Sequence, residues 1–442
     1  MNRKVGVILG TLLLPLVLLL GWILAPRIGE ALPSSGDLNG QQPVLISFTR
    51  QMDPESVESR FFLSPSLSGE FSWNENFNQL TFTPHKAWPA GEIITFQLDA
   101  WARSRIRLPL LRQFTFTLPV SPTLLTYLWP ADGKSNLYLV NPESGDSQAL
   151  TNEINGVLDY DISADGELIY YNTTTETGTS IIHALNKQTG STSEVLQCKE
   201  GLCTIPRISP GGNLLALEYV SREPGVLPGI RIYNLIEKTQ VDLGGANEYL
   251  EKPHWSPAGW LSYYSQTKKG YFFWNPESED TQFLPNETGG DGSWSADGRY
   301  FVCSEILFIS DTLAPRHLQL YDLVAENLQD LSQGNFLEDL NPGFSPRGLT
   351  LAYSRKSLDP QEWTPGRQLW IMDIESGENF ALTESVDFHH TSFAWHPEAN
   401  QLAYVRYNQA KLSDPPEIWL INQDGSEAMR LIINGFKPGW IP

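Results

Sequence analysis

The stretch Trp294-Ser295-Ala296-Asp297-Gly298, leading into Arg299-Tyr300-Phe301, most constrains what this chain can become, because the chain keeps rewriting it. Close variants stand at Ile162-Ser163-Ala164-Asp165-Gly166, Ile208-Ser209-Pro210-Gly211-Gly212, Trp255-Ser256-Pro257-Ala258-Gly259, Phe344-Ser345-Pro346-Arg347-Gly348 and Trp395-His396-Pro397-Glu398-Ala399. Self-similarity at a period of roughly 40 to 50 residues marks a repeat architecture, whose single unit cannot bury its faces alone and must stack on its neighbours. An apolar residue ends one strand, the turn reverses the chain, and an alternating strand follows, as in Leu351-Ala352-Tyr353-Ser354 and Leu402-Ala403-Tyr404-Val405. Gly supplies a positive φ at the turn, Pro pre-sets φ, and Asp bonds its own backbone. A second hairpin strand then appears, as in Leu318-Gln319-Leu320-Tyr321-Asp322, Leu369-Trp370-Ile371-Met372-Asp373 and Ile418-Trp419-Leu420-Ile421-Asn422. Strands about ten residues apart with such turns predict an all-β fold.

Four-stranded propeller blades have this period. Leu124–Leu128 reads as the second strand of a blade with no first strand before it. Lys437-Pro438-Gly439-Trp440-Ile441-Pro442 reads as a first strand with nothing after it. The two fragments complement each other, so the C-terminal strand is expected to close the ring. Six internal first strands and this composite one predict seven blades, with a six-bladed ring carrying a degenerate unit as the alternative. Closure removes sheet edges that would otherwise template aggregation.

The units resemble the WD40-like propeller repeats of the TolB family, in which Trp-Ser-Pro-Asp-Gly precedes an apolar strand, an Ile-Trp/Tyr hairpin and a Leu-Thr step. That step appears here as Leu150-Thr151, Leu382-Thr383 and Leu331-Ser332. The resemblance covers about 320 residues and implies the propeller fold. It implies no single function, because such propellers serve scaffolds, peptidase gates and lyases alike.

Four regions are expected: an anchor over 1–27, a stalk over 28–42, a β-sandwich over 43–119 and the propeller over 120–442. Val5 to Ala25 carries no charge and is long enough to cross a bilayer as one transmembrane helix. Arg3 and Lys4 before it orient the N-terminus to the cytoplasm and the bulk of the chain outside. Ile28 to Gln42, with Pro33-Ser34-Ser35-Gly36, reads as a short flexible stalk. Val44-Leu45-Ile46-Ser47-Phe48, Leu80-Thr81-Phe82-Thr83 and Ile93-Ile94-Thr95-Phe96 alternate as sandwich strands do. The segment Ile46-Ser47-Phe48-Thr49-Arg50-Gln51-Met52-Asp53-Pro54-Glu55-Ser56-Val57 resembles the opening of bacterial Ig-like domains of the S-layer-protein type. It departs from them at Arg103-Ser104-Arg105-Ile106-Arg107, a basic tip on an acidic protein, which would meet lipid headgroups or an acidic partner, or simply be hydrated.

The net charge of −21 opposes binding to nucleic acid. No Gly-x-Ser-x-Gly elbow, Walker loop, His-Glu-x-x-His pair or EF-hand loop occurs. No catalytic, cofactor or metal residue is therefore expected. His389-His390 is the one histidine pair, and neighbours on a strand point to opposite faces. Loops entering each blade are acidic, and propeller topology gathers them on one face. This makes Asp159, Glu251, Asp291, Glu338, Asp339 and Asp387, with His389, a candidate binding rim for a basic peptide or a cation. Cys198 and Cys203 could close a small disulfide loop in an oxidising compartment. The reading is a non-catalytic, membrane-anchored extracytoplasmic scaffold binding protein or cell wall through one propeller face. The alternative is an envelope polysaccharide lyase or hydrolase.

Overall fold

The computed structural model describes residues 21–33, 37–38, 42–85 and 88–441. The chain divides into two units, Met1–Thr123 and Leu124–Pro442. Of the apolar run Val5–Ala25, only Gly21–Ala25 falls among the described residues, so the expected transmembrane helix lies outside them. Among the described residues no helix is long and apolar enough to cross a membrane.

The first unit has two sheets. One runs Ile28–Leu32, Val44–Phe48, Gln79–Pro84, Gly69–Trp73; the other Phe61–Ser64, Ile93–Leu98, Phe114–Pro119. Alternation sends Val44, Ile46 and Phe48 inward from one strand and Ile94, Phe96 and Leu98 from another. They meet Phe82, Trp88, Leu80 and Met52 in the core. The turn after Met52-Asp53 becomes the short helix Pro54–Glu58, with Pro in its first turn, where a missing N–H costs nothing. One expectation is corrected here: Ile28–Leu32 is an edge strand rather than stalk. It pairs Ile28 with Phe48 and Leu32 with Leu45. Ile28 and Ala31 also pack on the core, and that burial decides against a solvated coil.

The second unit contains seven four-stranded antiparallel sheets among its described residues. Six are continuous in sequence, over 157–198, 201–243, 250–285, 293–330, 337–381 and 388–433. The remaining sheet takes Leu125–Trp129, Asn136–Val140 and Ser147–Ala149 from the start of the unit and Phe436–Trp440 from its end. Phe436 faces Leu128, and Trp440 faces Leu125. Core clusters bridge each sheet to the next and the last back to the composite one, so the sheets form a ring.

The repeated motif works through its side chains. Its serine is buried, and the hydroxyl accepts the amide at or just before the start of the next strand: Leu168 to Ser163 at 2.9 Å, Leu214 to Ser209 at 3.0 Å, Trp260 to Ser256 at 3.0 Å, Tyr300 to Ser295 at 2.9 Å. The turn glycine takes a left-handed φ, +70° at Gly298 and +67° at Gly348, which costs other residues about 1 kcal/mol. In the Leu-Thr step, the Thr151, Ser332 and Thr383 hydroxyls accept the amides of Leu137, Leu318 and Leu369 at 2.8 to 2.9 Å.

The motif tryptophan staples neighbouring sheets. Trp255 Nε1 donates to the Arg207 carbonyl at 3.0 Å, Trp294 to His254 at 3.3 Å, Trp395 to Gly343 at 2.9 Å and Trp440 to Ala394 at 3.0 Å. Where the tryptophan is replaced, another group spans the seam. The Ile208 amide donates to Asp161 Oδ2 at 2.8 Å, the Phe344 amide to Ser293 Oγ at 2.9 Å, and the Tyr160 hydroxyl to the Lys437 carbonyl at 2.6 Å.

Candidate functional site

The innermost strand of each sheet is an edge facing the middle of the ring. Edges need protection against stray pairing, and bulges and prolines supply it. Five of these strands carry a one-residue bulge at the same place, three residues before the motif's aromatic or apolar position. The bulged residues are Ile205, Lys252, Asn341, Ser392 and Lys437, all with φ between +49° and +58°. Proline follows four of them: Pro206, Pro253, Pro342 and Pro438. Left-handed φ at non-glycine residues costs about 1 kcal/mol or more each. A bulge re-aims side chains, and here Ile205, Lys252, Ser392 and Lys437 line a central cavity of about 880 Å³.

The cavity is electrostatically lopsided. One side presents Asp159, Asp161, Glu218, Glu251 and Asp291 beside Arg207, Lys252, Lys437 and His254. The wall from the 388–433 sheet offers only Ser392 and Phe393. Charges on the polar side pair across sheets. Asp159 is buried and takes Lys437 at 2.8 Å and Arg207 at 3.4 Å; Lys252 reaches Asp291 at 3.3 Å. The Lys252 amide donates to Glu218 at 2.7 Å. Burial pushes the Asp161 carboxyl up to about 6, against the pull of Arg207 and of the Ile208 amide. Burial within the ring, with help from Arg207, lowers the His254 imidazole to about 4, against the pull of the Gly292 carbonyl and of Asp291. His254 is thus neutral at pH 7, and its Nδ1 donates to the Gly292 carbonyl at 3.3 Å.

The seven predicted rim residues do not form one acidic surface. Asp159, Glu251 and Asp291 come together on the cavity. Glu338 is bound by Arg367, and Asp339 is fully buried against Arg355 at 2.7 Å. Asp387 is exposed. His389 packs on Tyr407, ring centroids 5.0 Å apart, and burial lowers its imidazole to about 4. Basic side chains pair with four of the six acids, from neighbouring sheets for Asp159 and Asp291 and from within the same sheet for Glu338 and Asp339. Arg207, Lys252, Lys437, Asp161 and Glu218 were missed by sequence reasoning. For Lys252 and Lys437 a signal was present, since a residue-Pro pair three positions before the motif recurs at Ile205, Lys252, Asn341 and Lys437; Arg207, Asp161 and Glu218 carried none. Cys198 and Cys203 are joined in a disulfide, Cα atoms 6.0 Å apart, and Cys303 is a buried free thiol. Among the described residues no group of three or more acidic, histidine or cysteine side chains could hold a metal ion.

Asp161 carries a pH prediction. Its folded-state carboxyl is raised from 3.8 to about 6. Between those values the folded chain holds a proton the unfolded chain has lost, so this group's contribution to stability falls as pH rises through that window. Asp161→Asn keeps an acceptor for the Ile208 amide without the buried charge. It is expected to flatten that slope and stabilise the protein at pH 7 by on the order of 1–3 kcal/mol. Melting temperatures of both proteins from pH 4 to pH 7 test this; parallel curves refute it.

No family model matches the chain, and no curated protein matches it. Solved structures do. An oligogalacturonate lyase in complex with manganese is similar over 91% of this chain and 100% of that one, at 12% identity and TM-score 0.51. A prolyl endopeptidase is similar over 78% of this chain at 12% identity and TM-score 0.53, and this chain spans 48% of its length. TolB from Acinetobacter baumannii is similar over 87% of this chain and 83% of that one, at 14% identity and TM-score 0.46. At such identities the likeness shows the fold alone, and that fold is the β-propeller.

Proposed function

We propose that this chain is a non-catalytic, membrane-anchored extracytoplasmic protein. On this reading an Ig-like domain serves as spacer, and a seven-bladed, TolB-like propeller binds a protein segment or cell-wall ligand in its central cavity. The observation that carries it is the set of five bulged inner strands, which accept left-handed backbone at non-glycine residues and aim four of those residues into one cavity. Strain repeated at one level of a ring is retained where side-chain direction matters. Alternating, already-paired charges suit an extended ligand carrying both signs, such as a peptide, which would exchange the internal ion pairs for its own. The Cys198–Cys203 disulfide supports an oxidising compartment. A thiol count on denatured protein should therefore find one free cysteine; three would remove that support.

Photo-crosslinking in cells tests the site. A crosslinker at Ser392, on the cavity wall, should give discrete adducts with an envelope component, whereas one at Phe380, exposed on an outer strand, should not. Adducts from position 380 alone, or turnover of cell-wall polysaccharide by the purified protein, would defeat the reading.

A further inference from the structure

We propose that loop 99–113 of the first unit is a membrane-surface contact that seats this unit on an anionic bilayer. The inference rests on the anchored reading above. The loop presents large apolar side chains to solvent: Trp101 is 64% exposed, Ile106 65% and Leu111 50%. Arg103, Arg105, Arg107 and Arg112 stand exposed among them. No acidic residue occurs between Asp99 and Asp132. Charge is segregated along the chain. Met1–Thr123 holds 10 basic and 9 acidic residues of the chain's 30 and 51, so this unit is slightly basic and all the net negative charge belongs to the second unit.

The loop is fixed rather than collapsed. Ala102, Ser104 and Leu110 are buried and root it in the core, which turns the intervening side chains outward. The Leu108 amide donates to Ser104 Oγ at 3.2 Å, the Arg107 amide to the Ser104 carbonyl at 2.7 Å, and the Arg105 amide to the Gln51 carbonyl at 3.1 Å. The rooted loop therefore holds Trp101, Ile106 and Leu111 at least half exposed to water.

Two features identify the partner. The first is position. A crevice of about 420 Å³ lies between Leu110, Leu111 and Arg112 on one side and Trp22, Pro26 and Arg27 on the other. Trp22, 59% exposed, belongs to the apolar run Val5–Ala25. The loop thus stands where the chain leaves that run. The second is chemistry. Tryptophan sits favourably at the headgroup level, aliphatic tips enter the acyl boundary, and arginine guanidiniums pair with lipid phosphates.

Flotation and quenching of the full chain separate this proposal from the anchor. Ile106→Cys can be labelled alone, since Cys303 is buried and the other two cysteines are joined. Ile93→Cys, also exposed, serves as the comparison position. In phosphatidylglycerol-containing vesicles doped with spin-labelled lipid, the probe at 106 should be quenched about threefold more than the probe at 93, as a polybasic apolar contact predicts. High salt, pure phosphatidylcholine, or Arg103, Arg105, Arg107 and Arg112 all changed to Gln should remove at least half of that difference. The salt arm uses the native arginines, so it stands even if the quadruple variant misfolds. A protein that floats with equal quenching at both positions overturns the loop proposal and leaves the anchor. A protein that does not float overturns the anchor, and the loop contact falls with it.

Discussion

Deleting Phe436–Pro442 will unfold the propeller rather than trim it. The segment supplies the inner strand of the composite sheet and fills both seams beside it. Trp440 packs among Ala403, Val405, Ile418 and Leu420 of the preceding sheet, with its indole against His396, ring centroids 4.8 Å apart. Ile441 packs among Leu137, Tyr160, Ile169 and Tyr171 on the other side, and its amide donates to the Leu124 carbonyl at 2.9 Å. Without the segment, Leu125–Trp129 becomes a bare apolar edge, open to pairing with a second copy. Trp440→Ala alone should cost about 3–5 kcal/mol. Trp440→Phe should cost about 1–2 kcal/mol, because the Ala394 carbonyl loses its donor. Thermal unfolding with size-exclusion chromatography reads all three variants. A monomeric deletion variant melting within a few degrees of the parent would show that the ring does not depend on its closing strand.

Arg355→Met is expected to lower stability by about 3–5 kcal/mol, more than any substitution of an exposed charge in this chain. Asp339 is fully buried, and both of its oxygens receive the Arg355 guanidinium, at 2.8 and 2.7 Å. The guanidinium also lies over the rings of Tyr353 and Trp370, near 5 Å from each centroid, and donates to Asn379 at 3.2 Å. Removing it strands a carboxylate without solvent or partner. Asp339→Leu combined with Arg355→Met removes both charges and should recover most of the loss, since apolar replacement of a whole buried pair is often neutral. Urea unfolding of the two single variants and the double variant gives the coupling directly. Single variants each losing under about 0.5 kcal/mol would mark the pair as a surface contact. This pair also shows why Asp339 misleads as a rim residue: its acidity serves the interior of one sheet.

Particular residues show how far the chain's own order reaches. The serine, glycine and tryptophan of the repeated turn act on groups within about ten residues or on the adjoining unit, so turn, strand and period are legible without coordinates. The complementarity of Leu124–Leu128 with Lys437–Ile441 is legible for the same reason, because each half matches a local pattern repeated elsewhere. Ile28–Leu32 was not, because five residues beside a Pro-Ser-Ser-Gly run carry too little periodicity to outweigh it. Only pairing with Val44–Phe48 makes them a strand.

The cavity belongs wholly to the tertiary structure. Asp159 meets Arg207 from the next sheet and Lys437 from the far end of the chain, and no local pattern predicts partners at those separations. Charge in the sequence is a property of single residues; charge on a surface depends on which residues ring closure brings within a few ångströms. Motif chemistry alone thus determined a closed array of antiparallel sheets, while the bulges and cross-sheet ion pairs decided which side chains the array turns inward.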